Sequence, residues 1–228
     1  IWHLAEQIDN QDHIVDCGTI PELVTLLKYG SSKAQELAAA GISDLAGGAI
    51  VEMERSGTSP KPLRSGPSPE PRKDEFAAAA ADVASAATAE EAEQEGNRLT
   101  AIADAGGITP LVALLGSSNT QARENASAAL WHLALDYSNQ LAISKANGIS
   151  PLVTVLDDGT VQAHEHAANA LKRLAMSNAD NRAQIAKHLV QLLGNPSSGA
   201  QQRSAHALRE LAGSTGDSPV IIVNAGAI

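Results

Sequence analysis

The sequence predicts an all-α solenoid of stacked three-helix repeats, and three observations carry that prediction. The first is a unit written twice. Gly107-Ile108-Thr109-Pro110-Leu111-Val112 returns 41 residues later as Gly148-Ile149-Ser150-Pro151-Leu152-Val153, and Ala129-Leu130-Trp131-His132-Leu133-Ala134 returns at the same interval as Ala170-Leu171-Lys172-Arg173-Leu174-Ala175. A fixed period of this length marks a helical repeat array. The second is composition: hydrophobic residues make up 43% of the 228-residue chain but aromatics only 2%. A core of Ala, Leu, Ile and Val suits closely packed helices better than a β-sandwich. The third is a Ser-x-x-Gln capping box at equivalent places, Ser32–Gln35, Ser118–Gln121 and Ser198–Gln201.

Taken in order, Ile1 to Ala5 reads as the tail of a long helix, and Asn10 to Cys17 as a short helix ended at Gly18. Pro21 opens the next helix, where a missing N–H costs nothing, with Leu23, Val24, Leu26 and Leu27 as its apolar face. A long helix with Ala38, Ala39, Ile42, Leu45 and Ala46 at helical spacing follows. Gly47-Gly48 then resembles a repeat turn, with Ala49 to Met53 as a second helix. Residues 54–73 hold half of the ten prolines among Ser, Gly and basic residues, the composition of a flexible inserted loop. The Ala-rich run from Asp74 to Ala92 favours helix. Residues 47–96 therefore read either as one degenerate repeat carrying an inserted loop or as a linker between two solenoid blocks.

Regular units resume at Asn97. Leu99 and Ile102 mark a first helix, Gly106-Gly107 a turn, and Thr109-Pro110 the N-cap and first position of a second helix. Tyr137 to Asn178 repeats the plan with Ser150-Pro151. The next unit lacks the Gly-Ile-x-Pro turn around Ile185 to Val190, so its first two helices are expected to merge. Ile1 to Ala5 matches the end of a unit and Val223 to Ile228 the opening of one. The chain 1–228 is thus expected to be a single solenoid fragment of about four to five units with partial repeats at both ends.

Composition also excludes. There are 26 acidic and 16 basic residues, a net charge of −10, and 17 of the acids fall in residues 1–100. That balance argues against a general nucleic-acid binder, which needs a basic surface. Cys17 is the single cysteine, so neither a disulfide framework nor a thiolate metal cluster can form, and no apolar run is long enough for a membrane span. A reducing intracellular location, cytoplasm or nucleus, is expected. His164-Glu165-His166 places two histidines two residues apart, on different helix faces, and lacks the second histidine of a zinc helix at Ala168. Asp157-Asp158-Gly159 lacks the spaced oxygens of a calcium loop. No nucleophile elbow or phosphate loop is present, so no catalytic residue, metal or cofactor is expected.

With three helices per unit, Gly-(Gly)-Ile-x-Pro-Leu-Val before the second and Ala-Ala-x-Ala-Leu-x-x-Leu-Ala in the third, the chain resembles the armadillo-repeat family over nearly its whole length except about 54–73. The resemblance implies a right-handed superhelix whose third helices line a concave groove for a partner protein or extended peptide. In many members an asparagine near the end of each third helix grips the bound backbone. The matching positions here are His3, Asp44, His132, Arg173 and Glu210, none of them asparagine. The tryptophan that importin-alpha proteins place four residues earlier is replaced by Ala40, Ala128, Asn169 and His206. The resemblance is therefore to divergent scaffold members, such as the vacuolar membrane-associated one, rather than to nuclear-import receptors.

Positions one and two helical turns before the mapped residue share its face. That assigns Asn125, His132, His166, Asn169, Arg173, Arg203, His206 and Glu210 to the expected groove. Trp131 is either a binding anchor beside them or packing against the neighbouring repeat; its charged equivalents Lys172 and Arg209 favour the former. The histidines suggest pH-sensitive binding between about pH 5 and 7. The functional expectation is a non-catalytic scaffold that binds a partner protein or extended peptide. The alternatives are the regulatory or targeting region of a larger ubiquitin ligase or kinase, and a structural component of a ciliary or filament assembly.

Overall fold

The computed structural model describes residues 14–15, 17–56, 98–214, 220 and 223–226, and every regular element among them is helical. In order these are α1 (Thr19–Tyr29), α2 (Ser32–Ser56), a helical stretch over 98–104, α3 (Ile108–Leu114), α4 (Thr120–Leu133), α5 (Tyr137–Lys145), α6 (Ile149–Asp158), α7 (Val161–Ser177), α8 (Ala179–Leu193) and α9 (Ser198–Ser214). The third helices of successive repeats are α2, α4, α7 and α9. Expectations for Ile1 to Ala5, for most of Asn10 to Cys17, for residues 57–73 and for Asp74 to Ala92 lie outside the described residues.

One continuous core of Leu, Ile, Val and Ala runs through all the repeats, from Ile20 to Leu211. No unit could bury its apolar face alone, and stacking supplies the missing partner. Alanine dominates where third helices meet: Ala38, Ala39, Ala126, Ala129, Ala163, Ala167 and Ala170 are all essentially inaccessible to solvent. Leu23, Val24 and Leu27 are buried as expected, whereas Leu26 is 44% exposed, because it points away from the stripe that packs on α2.

The second helices begin two residues upstream of their expected start, while the turn at Gly106 falls where expected. Positive φ falls at Gly106 (77°) and Asn147 (58°), and α3 and α6 begin at Ile108 and Ile149 rather than after Thr109 and Ser150. Pro110 and Pro151 sit within the first turn, where backbone N–H groups have no intrahelical acceptor. Gly107 and Gly148 are right-handed and serve close approach instead. A Cβ at Gly148 would stand 2.8 Å from Ile143 Cγ2 and 3.2 Å from Val112 Cγ2 of the previous repeat. Capping is also displaced. Ser31, Asn119 and Ser197 accept from the helix N–H groups, while Gln35 and Gln201 reach back to the Leu27 and Asn195 carbonyls, each at 2.9 Å. The merged helix expected in the last unit forms as α8, a single 15-residue helix.

Gly47-Gly48 does not form a repeat turn. α2 continues unbroken through both glycines to Ser56, so residues 54–56, expected in the loop, are helical. α2 lies directly against α4. Asn119 Nδ2 donates to Glu36 Oε2 at 2.8 Å, Asn125 Nδ2 to the Glu36 carbonyl at 3.1 Å, and His132 Nδ1 to the Ser43 carbonyl at 2.9 Å. These partners are 83 to 89 residues apart in sequence. The repeats on either side of residues 57–97 are thus stacked neighbours.

Candidate partner-binding surface of the third helices

A long helix that packs on its predecessor along one side and on its own repeat along another leaves one polar face. On α4 that face carries Asn125 and His132, two turns apart, and each turns toward α2. The residues that receive them, Glu36 and Ser43, have the same seven-residue spacing, so α2 and α4 run side by side in register. His132 occupies the family's asparagine position. Its Nδ1–H is spent on a backbone carbonyl of this chain, and its ring fills the space over Gly47, where a Cβ would come within 2.7 Å of Nδ1. Burial pushes the imidazole pKa down to about 4, with His166 adding to the effect and the Ser43 carbonyl opposing it. His132 is therefore neutral between pH 5 and 7 and does not supply the pH sensitivity expected of it there.

Trp131 stands between two repeats. Its ring lies 4.9 Å from that of His132 at a tilt of 42°, and stacks on His166 of α7 at 5.5 Å with 18° between planes. It also packs on the shared core, so it acts as filler in the α4–α7 joint. His166 is half-buried with Nδ1 lacking a hydrogen-bond partner. Burial lowers its pKa, against the pull of the Glu124 and Glu165 carboxylates and the Glu124 carbonyl.

The α7–α9 joint differs. Counting along the repeat, the place of Trp131 falls to Lys172 and that of His166 to Arg203, two cations that cannot stack on one another. Arg203 turns instead to the C-terminus of α6, donating from Nε to the Leu156 carbonyl and from Nη2 to that of Asp157 at 3.0 Å. Arg123 reaches the same terminus from the preceding repeat, at 2.8 Å to Asp158 Oδ2 and 3.1 Å to its carbonyl. Two guanidinium groups thus face the negative end of one helix dipole. A cleft opens beside this joint, with Lys172 lining its deep part and Arg203 its mouth. Its deep part, about 120 Å³, is floored by Leu171, Ile185, Leu189 and Leu211, and a wider mouth of about 510 Å³ adjoins it. Both parts share Ala168, Asn169, His206 and Ala207. Lys172 and Glu210 face each other across the deep part at 3.3 Å, and Arg209 also approaches Glu210, at 3.9 Å.

Of the nine sequence-derived candidates, the structure brings Asn169, Arg203, His206 and Glu210 around this cleft. Trp131, His132 and His166 form one run of rings in the neighbouring joint. Asn125 is held between Gln121 and Glu36, and Arg173 lies half-buried, lining neither part of the cleft. Sequence reading missed Lys172 as a cleft residue, although its alignment with Trp131 was the available signal. Among the described residues no group of three or more His, Cys, Asp or Glu side chains is placed to hold a metal ion.

Stacked helical repeats with one polar third-helix face define the class: an α-solenoid. The family model of the Armadillo/beta-catenin-like repeat matches residues 8–47 and 96–135, so the chain carries armadillo repeats over those residues. Its solenoid is similar to a designed armadillo-repeat protein solved with the peptide (KR)4, at 19% identity and TM-score 0.64 over 99% of this chain and 78% of that one. A computationally designed armadillo-repeat protein for modular peptide recognition is similar at 20% identity and TM-score 0.64, covering 100% of this chain and 79% of that one. The armadillo repeats only protein of Plasmodium falciparum is similar at 18% and 0.51, covering 95% and 85%. No curated protein sequence matches the chain.

Proposed function

We propose that the protein is a non-catalytic scaffold that binds a partner protein or extended peptide along the face of its third helices, in the cytoplasm or nucleus. The observation that carries this reading is the concentration of polar side chains reachable from solvent on that one face. Asn169, Lys172, His206 and Glu210 all stand over an Ala- and Leu-lined cleft. Such groups can hydrogen-bond an extended backbone and pair with its charges. Peptide binding by designed proteins of this fold supports a peptide-binding role. The missing asparagine ladder, with His132 committed to Ser43, separates this reading from recognition of basic import peptides.

The test is selection of peptides from a random displayed library on the whole chain. Affinities are then measured for the unaltered chain, Arg173→Glu and Asn169→Ala on the third-helix face, and Lys187→Glu on the exposed side of α8. The third-helix changes should weaken binding at least tenfold and Lys187→Glu should leave it unchanged. Peptides indifferent to both third-helix changes would place recognition elsewhere.

A further inference from the structure

We infer that the α7–α9 cleft is the specificity pocket of this surface, and that it takes one bulky apolar side chain from an acidic peptide segment. The inference rests on the scaffold reading and names the chemistry of the partner. Three observations carry it. The first is the repeat itself. One joint earlier the corresponding space is filled from within the chain, by Trp131 stacked on His166. At α7–α9 the same positions hold Lys172 and Arg203, which leave it open, and Arg203 is tied to the Leu156 and Asp157 carbonyls and cannot swing in. The chain thus has a site shaped for an apolar group that it does not itself supply.

The second observation is size and lining. The deep part measures about 120 Å³ above Leu171, Ile185, Leu189 and Leu211, with Ala168 and Ala207 as its walls. A dry apolar cavity of roughly 150 Å³ accommodates a benzene ring. The deep part, somewhat smaller than that, takes a Leu- or Ile-sized group, and the wider mouth has room for the backbone that carries it. Asn169 and His206, on opposite helices at the mouth, are placed to bond that backbone.

The third observation is charge. Lys172 lines the deep part, Arg203 the mouth, and Arg209 stands beside Glu210, so three cations face the two carboxylates of Glu210 and Glu165. Lys172 and Arg209 are at least half exposed, and the Lys172–Glu210 pair across the entrance is a surface ion pair that opens at little cost. An acidic residue beside the apolar anchor supplies the missing charge.

The whole chain, Lys172→Trp and Ala207→Met are compared for binding of the display-selected peptides, with melting temperature recorded for each. Lys172→Trp restores the side chain found one repeat earlier. It should raise the melting temperature while reducing affinity at least tenfold, and Ala207→Met should block the cleft from the opposite wall. Selected peptides should share an apolar residue beside Asp or Glu, and replacing that residue by Ala should have the same effect on affinity; the peptide (KR)4 should not compete. Peptides weakened by Arg173→Glu or Asn169→Ala but not by Lys172→Trp and Ala207→Met would overturn the cleft proposal and leave the scaffold reading standing. Peptides with a basic consensus, or self-association of the chain lost in Lys172→Trp, would overturn the stated partner. Failure to select any peptide would overturn both readings.

Discussion

His132 of α4 lies against the backbone of Gly47 in α2, in the space that any side chain at position 47 would occupy, and donates its Nδ1 proton to Ser43 one turn earlier. The glycine is therefore a contact residue of the joint between two repeats. Gly47→Ala sets two effects against each other. Helix propensity favours alanine by about 1 kcal/mol, while forcing a methyl group into the ring costs about 1–3 kcal/mol. With His132 held by its hydrogen bond the second effect should win, and urea denaturation should show a loss of stability. In a His132→Ala background the ring is gone, and Gly47→Ala should become stabilising. The same sign in both backgrounds would disprove the contact.

Stability should fall on mild acidification. The folded-state pKa of His132, about 4, lies below the ordinary imidazole value of 6.5. Protonation is thus harder in the folded chain than in the unfolded one. The stability associated with the neutral ring is complete above about pH 6.5 and is lost as pH falls toward 4. At about 1.4 kcal/mol per pH unit that window is worth on the order of 3 kcal/mol. Burial lowers His164 and His166 as well, and both act in the same direction. Unfolding free energy measured from pH 7 to pH 4 should decline, and His132→Gln should flatten the slope whatever it does to absolute stability.

Arg203 should prove structural as well as positional for the cleft. Its guanidinium serves two carbonyls at the end of α6, and hydrogen bonds from charged groups contribute about 1.5–3 kcal/mol. Arg203→Ala should lower stability by about that amount. Arg203→Lys should recover only part, since an ammonium cannot present the planar fork that reaches both oxygens. Equal stability of the Lys and unaltered chains would refute the fork geometry.

Period, helix order and the merged α8 were legible in the sequence, because Gly, Pro, Leu and Ala recur wherever each unit packs on the next. Contacts between repeats were harder to read. Gly-Gly at 47–48 has the same local pattern as the Gly106-Gly107 turn, and only the arrival of His132 from a distant segment makes the first pair helical packing. Helix starts shifted because left-handed backbone at Gly106 and Asn147, not the prolines, sets the boundary. At the candidate surface, mapping positions onto one face found Asn169, Arg203, His206 and Glu210 together. It could not show that Asn125 and His132 are bonded to the previous helix, since that depends on the depth at which neighbours interlock.

The direct stacking of α2 on α4 has a consequence for how the molecule assembles. At the later joints the next helix begins within a few residues, so its partner is delivered at high local concentration almost as soon as it forms. At this joint residues 57–97 intervene, and each doubling of the intervening chain adds about 0.6 kcal/mol of closure entropy. Repeats from residue 98 onward can condense by short-range search, and their first exposed surface, along α4, then serves as a template. The unit at residues 17–56 is expected to join late, recognised by shape and by the bonds from Asn119, Asn125 and His132 more than by tethering. In folding terms it behaves as an internal ligand for the rest of the protein.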